Sequence, residues 1–540
     1  LIAAVAASIW AAATGRSFWR GGGIALALLF VAATIGVSAE ATACYRYPAW
    51  LLVWEWATLA MAFLLVRSLT ADRDDAVTGI ANVFAASAVS LAAFAVYQWV
   101  APRLGLSLPE SMSQIARVLP PDSDFHGSLE VVSTSATFRR PDTLLALLLL
   151  AMPLVFAMSF GRGWRRRVVL ISVGVLAFAA ISTIIAMGAD FGTRWENSAE
   201  TAVSMTAERP LFGVGPENFD RHSARLQSPC LPEVLPDGGS AYLDAAANLG
   251  LVGLGAIVVV FLLILLQRRS LSDNVTTSPP ESTGPRWEFQ LGGMGGLFLG
   301  IVLAIIDMPA AAPPQALLHA GIAAAARSLV WFFAFTLFDA FVMSARARRL
   351  ALTIGVALVA VLGVLSIAPL LPAVMQPVIV LAALLPSAAR GLARPWLRWA
   401  PVAATLVVAI VFLFLVADPV YQSAAATTRA RRAMRLYPSM FAKAEALPPG
   451  LSQRLQMEKL GIFLRKEILV PLGEARRADP MDTGPPLHWA AWYRPLWKIV
   501  PTLKQDEGIA VAQRAVQLDP RATAPLVAEL QLRLAYAHLD

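Results

Sequence analysis

The chain has 540 residues, 57% of them apolar and only 15% charged, with a mean hydropathy of +0.62. Soluble domains carry about 25% charged residues, so this balance excludes an ordinary soluble globular protein. The net charge of +8 does not indicate nucleic acid, because all five lysines follow residue 440 and most arginines sit in short turns between apolar runs. Two cysteines, Cys44 and Cys230, with no Cys-x-x-Cys spacing, exclude a cysteine-based metal site, and no cofactor or metal is called for.

Residues 1–14 are apolar but too short to span and read as the tail of a span that starts further upstream. Apolar runs at about 22–38, 49–66, 77–100, 142–160, 167–187, 249–266, 289–306, 328–343, 350–371, 373–388 and 400–417 make eleven candidate spans. The fold class is therefore all-α: a polytopic helical membrane protein of about 11–12 spans. The connecting loops alternate in charge. One set holds sixteen arginines, the alternate short loops hold Arg46 and little else, and such a bias marks the first set as cytoplasmic. That orientation puts 39–48, 101–141, 188–248 and everything after 418 on the non-cytoplasmic side. Cys44 and Cys230 are both on that side, where a disulfide between them is chemically permitted and two thiols are equally compatible.

Segment 101–141 mixes Pro, Ser and Asp and is expected to cap the external face, with a short helix near Ser111–Val118. Segment 271–287 has linker composition. Residues 1–417 thus form a membrane domain and 418–540 a soluble, α-helical one. Ile509–Pro520 followed by Ala524–Leu539 resembles the second helix of a tetratricopeptide repeat closed by Asp-Pro, then the first helix of the next. Arg432–Pro438 looks like a weaker copy, but the two prolines stand 82 residues apart, which is no multiple of the 34-residue period. A plain helical bundle stays open as the alternative.

In the external segment 188–248 lies Arg209-Pro210-Leu211-Phe212-Gly213-Val214-Gly215-Pro216-Glu217-Asn218-Phe219. Pro210 should end the preceding helix, Gly213 and Gly215 allow a tight turn, and Pro216 suits the first turn of a new helix. Such a turn exposes backbone N–H groups that could cradle a phosphate oxygen.

The Pro-Leu-Phe-Gly-Val-Gly-Pro-x-Asn-Phe pattern resembles the signature of the O-antigen ligase and polymerase family of membrane glycosyltransferases. The resemblance extends over about 130–266. It takes in Arg194-Trp195 upstream and Thr137-Phe138-Arg139-Arg140-Pro141-Asp142 before a span. Downstream it includes Ala241-Tyr242-Leu243-Asp244 and Asn248-Leu249-Gly250-Leu251-Val252-Gly253. It implies transfer of a glycan from undecaprenyl diphosphate to an acceptor at the periplasmic face of a bacterial inner membrane. The soluble helical domain would recruit protein partners.

This chain departs from the family where the family keeps its His-Asn pair, since those positions are Gly239 and Ser240. The usual Asn residues of the entry segment are Arg140 and Asp142, and a usual Glu is Asn248. A general base needs a titratable group within reach of the acceptor hydroxyl, which Ser240 cannot supply unaided. His222 is the only histidine in this loop and could substitute, the plainer reading being a solvated loop residue. Arg139, Arg140, Arg194, Arg209 and Arg221 lie on the external side near span ends and suit a diphosphate through bidentate, charge-assisted bonds. Anchoring of span ends at lipid headgroups is their alternative role. Arg194 also matches a family position. The missing His-Asn pair supports a second reading, a catalytically silent member that holds a lipid or a protein. A transporter finds no support, since no repeated halves are visible.

Overall fold

A computed structural model of the chain describes residues 8–9, 22–70, 74–100, 140–159, 164–188, 191–226, 235–266, 287–296, 314–341, 343–385, 400–499, 505–519 and 523–537. Among the described residues regular structure is helical throughout. The expected external cap at 101–139, the linker at 271–286, Arg139 and Cys230 lie outside them.

Six described helices are long and apolar enough to cross a membrane. Five of them are α1 (Gly22–Ala41), α2 (Arg46–Thr70), α3 (Asp74–Val100), α4 (Pro141–Met158) and α5 (Trp164–Ala186). Two more polar helices follow, α6 (Phe191–Glu208) and α7 (Phe219–Leu226), and then the sixth apolar one, α8 (Ala241–Leu266). Pairings α1–α2, α4–α5, α1–α8 and α3–α9, where α9 is Pro314–Asp339, build a single apolar core. The core is continuous because each helix is apolar around most of its circumference, as a bundle in lipid requires.

The span expected at 350–371 stops early. α10 (Ala345–Leu362) ends at Gly363, and a 3₁₀ turn, Ala368–Leu370, precedes α11 (Pro372–Ala383). At 12 residues α11 covers only about 18 Å, short of a bilayer core of about 30 Å. Its far end is capped from α2, where Arg67 Nη1 donates to the carbonyls of Ala383 (3.0 Å) and Leu385. At the same end of the bundle Arg348 Nη1 donates to Thr78 Oγ1 (2.6 Å) and its Nη2 pairs with Asp74 (3.2 Å). The opposite end gathers the α1–α2 turn, the start of α4, the 209–219 loop and the 363–366 turn, through the hydrogen bonds described below.

α12 (Ala400–Phe412) passes through a π-helical turn, Leu413–Ala417, into α13 (Asp418–Glu445). The expected boundary between membrane and soluble parts thus falls on that turn. α13 also runs straight past Pro438, so the proposed weaker repeat copy does not close a helix there. The rest of the C-terminal part comprises α14 (Leu451–Phe463) with a π-helical Leu464–Leu469, α15 (Val470–Ala478), α16 (Gly484–Ile499), α17 (Gln505–Leu518) and α18 (Thr523–Ala537). It has its own core, in which Leu464, Ile468, Leu472, Trp489 and Tyr493 pack against α13.

Candidate functional site: a loop that fills a broken helix

α8 is interrupted at Gly250, whose φ of 71° and ψ of −174° lie outside any helix. A break inside an apolar helix frees carbonyls and an amide that lipid cannot satisfy, so it survives only where protein supplies partners. The 209–219 loop supplies them. Val214 N donates to Ala247 O at 2.8 Å, Gly215 N donates to Asn248 O at 3.0 Å, and Leu251 N donates to Pro210 O at 2.8 Å. Ser38 of α1 closes the seam, its Oγ donating to Phe212 O at 2.6 Å and Asn248 O at 3.3 Å.

This close approach fixes the glycines. Gly213 sits at φ 65°, where a Cβ would lie 2.4 Å from the Asn248 backbone, and a Cβ on Gly250 would lie 2.2 Å from Leu211 O. Gly215, at φ 105°, meets the Ala43 backbone in the same way. The two motif glycines therefore let backbone touch backbone. Their amides do not face a ligand, because Gly213 N bonds Arg209 O and Gly215 N bonds Asn248 O. The expected phosphate cradle is used up in closing the helix. Pro210 follows the end of α6 at Glu208, as expected, whereas Pro216 belongs to a turn before α7 begins at Phe219.

Asn218, 0% exposed, pins the loop to the α1–α2 turn. Its Oδ1 accepts from Tyr45 N (2.8 Å) and from the Cys44 thiol (3.0 Å), and its Nδ2 donates to Tyr45 O (3.0 Å) and Pro216 O (2.7 Å). Phe219 is buried beside Ala202, Met205, Val214 and Ala247. Glu217 is, among the described residues, the one non-glycine residue with positive φ, at 56°. Its residue surface is exposed, yet its carboxyl loses enough water to nearby protein, and feels Asp220 closely enough, for its pKa to rise.

The arginines divide. Arg140 is taken by protein: it forks onto Asp142 (Nε–Oδ1 3.2 Å, Nη2–Oδ2 3.0 Å) and pairs with Asp237 Oδ2 at 2.6 Å. Burial opposes its charge, but Asp142 and then Asp237 outweigh that and raise its pKa above the ordinary arginine value. Asp142, 4% exposed, also accepts from Ser366 Oγ (2.7 Å), so this pair joins α4 to the turn after α10. Arg194 is exposed near the start of α6. Arg209 is exposed and touches Thr42 O at 3.2 Å. Arg221 lies over the Tyr45 ring, 5.9 Å from its centroid, pairs with Asp220, and reaches Asp519, just after α17, at 2.9 Å. The α1–α2 turn thus gathers Arg209 and Arg221, while Arg140 and Arg194 stand apart from it.

His222 is only 2% exposed, inside α7, so it is neither a solvated loop residue nor open to an acceptor in this arrangement. The positions where the family keeps its base are equally committed. Gly239 N bonds Asp237 Oδ1 (2.9 Å), and Ser240 Oγ donates to Gly363 O (2.9 Å). Buried Asp244 accepts from Gly238 N and from Asn248 Nδ2, both at 3.0 Å. The Asp and Asn substitutions in the family-like segments thus belong to one internal network. Among the described residues no group of three or more His, Cys, Asp or Glu is arranged to hold a metal ion. No family model matches the chain, and comparison with curated proteins and with solved structures likewise found no match.

Proposed function

We propose that this chain is an O-antigen ligase- or polymerase-like membrane glycosyltransferase, which moves a glycan from undecaprenyl diphosphate to an acceptor at the periplasmic face of a bacterial inner membrane. The observation that carries this reading is the 209–219 loop seated in the break of α8, which sets Arg209 and Arg221 at one end of an apolar bundle. A diphosphate leaving group there meets permanent positive charge, and fixed charges aimed at developing negative charge are worth about 10²–10³ in rate. Arg194 is kept in this reading from the family-like position alone, and Arg139 lies outside the described residues. Glu217 is the titratable group that the turn carries on its exposed side, and it takes the acceptor proton in place of the family's histidine. The soluble helices act as a tetratricopeptide-like platform for protein partners.

A second reading, a silent member that holds lipid or protein, is favoured by the commitment of Gly239, Ser240 and buried His222 to the fold. The two separate in a deletion host. Arg194→Ala and Arg221→Ala, expressed at the wild-type level, should abolish surface-glycan assembly. Intact glycan with lost complex formation would favour the scaffold. His222→Ala should fail through lowered protein level.

A further inference from the structure

The C-terminal helices meet the α1–α2 turn and α7 through polar groups. These include the Arg221–Asp519 pair, a hydrogen bond from Thr483 Oγ1 to Tyr45 Oη at 3.1 Å, and one between the Tyr47 hydroxyl and Asp479. Asp519 is poorly served by its own domain. It is 1% exposed and follows the last residue of α17, with its N–H still bonded to Ala515 O. A carboxylate there faces the negative end of a helix dipole. Its Oδ1 has no hydrogen-bond partner among the described residues, and its Oδ2 meets Arg221 Nε. Burial of a half-satisfied carboxylate at a helix C-terminus is unfavourable unless a cation faces it. Arg221, from the membrane part, is that cation.

We infer that Asp519 is a built-in anion occupying an anion site made by Arg221 over Tyr45, so that the soluble domain plugs this site until a phosphate-bearing ligand displaces it. The inference rests on the proposed function only for the ligand being a diphosphate. The contacts named here are polar, and polar pairings between parts of a chain open more readily than an apolar core does. Because the plug is tethered, its effective concentration lies in roughly the millimolar range, and a free competitor must be titrated through it.

The test is hydrogen exchange, read on peptides covering 42–48, 219–226 and 505–519, with the full chain in nanodiscs. Asp519→Asn should speed exchange in all three by about tenfold, as should Arg221→Ala. The charge-swapped double variant Arg221→Asp with Asp519→Arg should restore protection, which guards against a merely misfolded single variant. Inorganic pyrophosphate should speed exchange in the wild type and leave the swapped variant unmoved. Nanodiscs containing undecaprenyl diphosphate, compared with plain ones, show whether a lipid-borne diphosphate acts at lower concentration than the free anion. Wild-type exchange in Asp519→Asn, failure of the swap to restore protection, or indifference of the wild type to both diphosphates would each overturn the inference. If the plug behaves as described and no glycan is transferred, the glycosyltransferase reading falls and the anion site stands.

Discussion

Several side chains whose type suggested chemistry turn out to hold the fold together. Arg140 shows why. From sequence it is one of five external arginines suited to a phosphate, and nothing local marks it as spoken for. Its partner Asp237 is 97 residues away and Ser366 reaches Asp142 across 224, separations that no window of sequence captures. Arg140→Ala would leave Asp142 and Asp237 facing each other without a cation. Since Arg140 keeps 38% of its side-chain surface, the cost is below that of a fully buried pair, about 2–3 kcal/mol. Thermal unfolding in detergent should show it, and Arg140→Lys should recover only part, because an ammonium cannot fork onto Asp142. Asp482, near the start of α16, adds a pH effect. Burial raises its pKa, so the folded state favours its protonated form. Stability should therefore decline as pH rises from its ordinary value of about 4 towards the raised one, and Asp482→Asn should flatten that slope.

At the level of elements, the 209–219 loop was legible in its punctuation and misleading in its purpose. Pro210, Gly213 and Gly215 announce a helix stop and a tight turn, and both occur. What the turn serves could not be read, because its partner is a break in a helix whose sequence, Ala241–Leu266, is apolar without a proline. Gly250 is the one local sign, and it looks like any packing glycine. Gly213→Ala combines a disfavoured backbone conformation with a clash against Asn248, so it should cost about 3 kcal/mol or more and reduce the yield of folded protein. Gly255→Ala, five residues beyond the break and facing open space, should be neutral or stabilise by up to about 1 kcal/mol. Equal losses in the two variants, measured by thermal unfolding, would contradict the seating of the loop.

For the whole molecule, composition and periodicity carried the all-helical membrane class, and five of the eleven expected spans match α1 to α5 within a few residues. The sixth, expected from 249, begins earlier at Ala241, since its polar first turn around Asp244 and Asn248 hides a helix from a hydropathy window. The run at 350–371 looked continuous for the opposite reason. Leu365 to Leu371 are apolar enough to extend a helix, yet Pro369 and Pro372 break it into a turn that packs on Asp142 through Ser366. Side chains from both parts of the chain meet at one end of the bundle, where Arg221 of α7 and Tyr45 touch the C-terminal helices and Arg209 of the motif loop reaches Thr42. The account requires that this end handle a polyprenyl diphosphate. The most direct measurement is release of undecaprenyl diphosphate from an undecaprenyl-diphosphate-linked oligosaccharide in proteoliposomes containing the purified chain and an acceptor glycan. The account predicts release by the wild type, a loss of about 10²-fold in Arg221→Ala, and a comparable loss in Glu217→Gln with unchanged thermal stability. Release no faster than in protein-free liposomes, for the wild type and for Asp519→Asn alike, would contradict it.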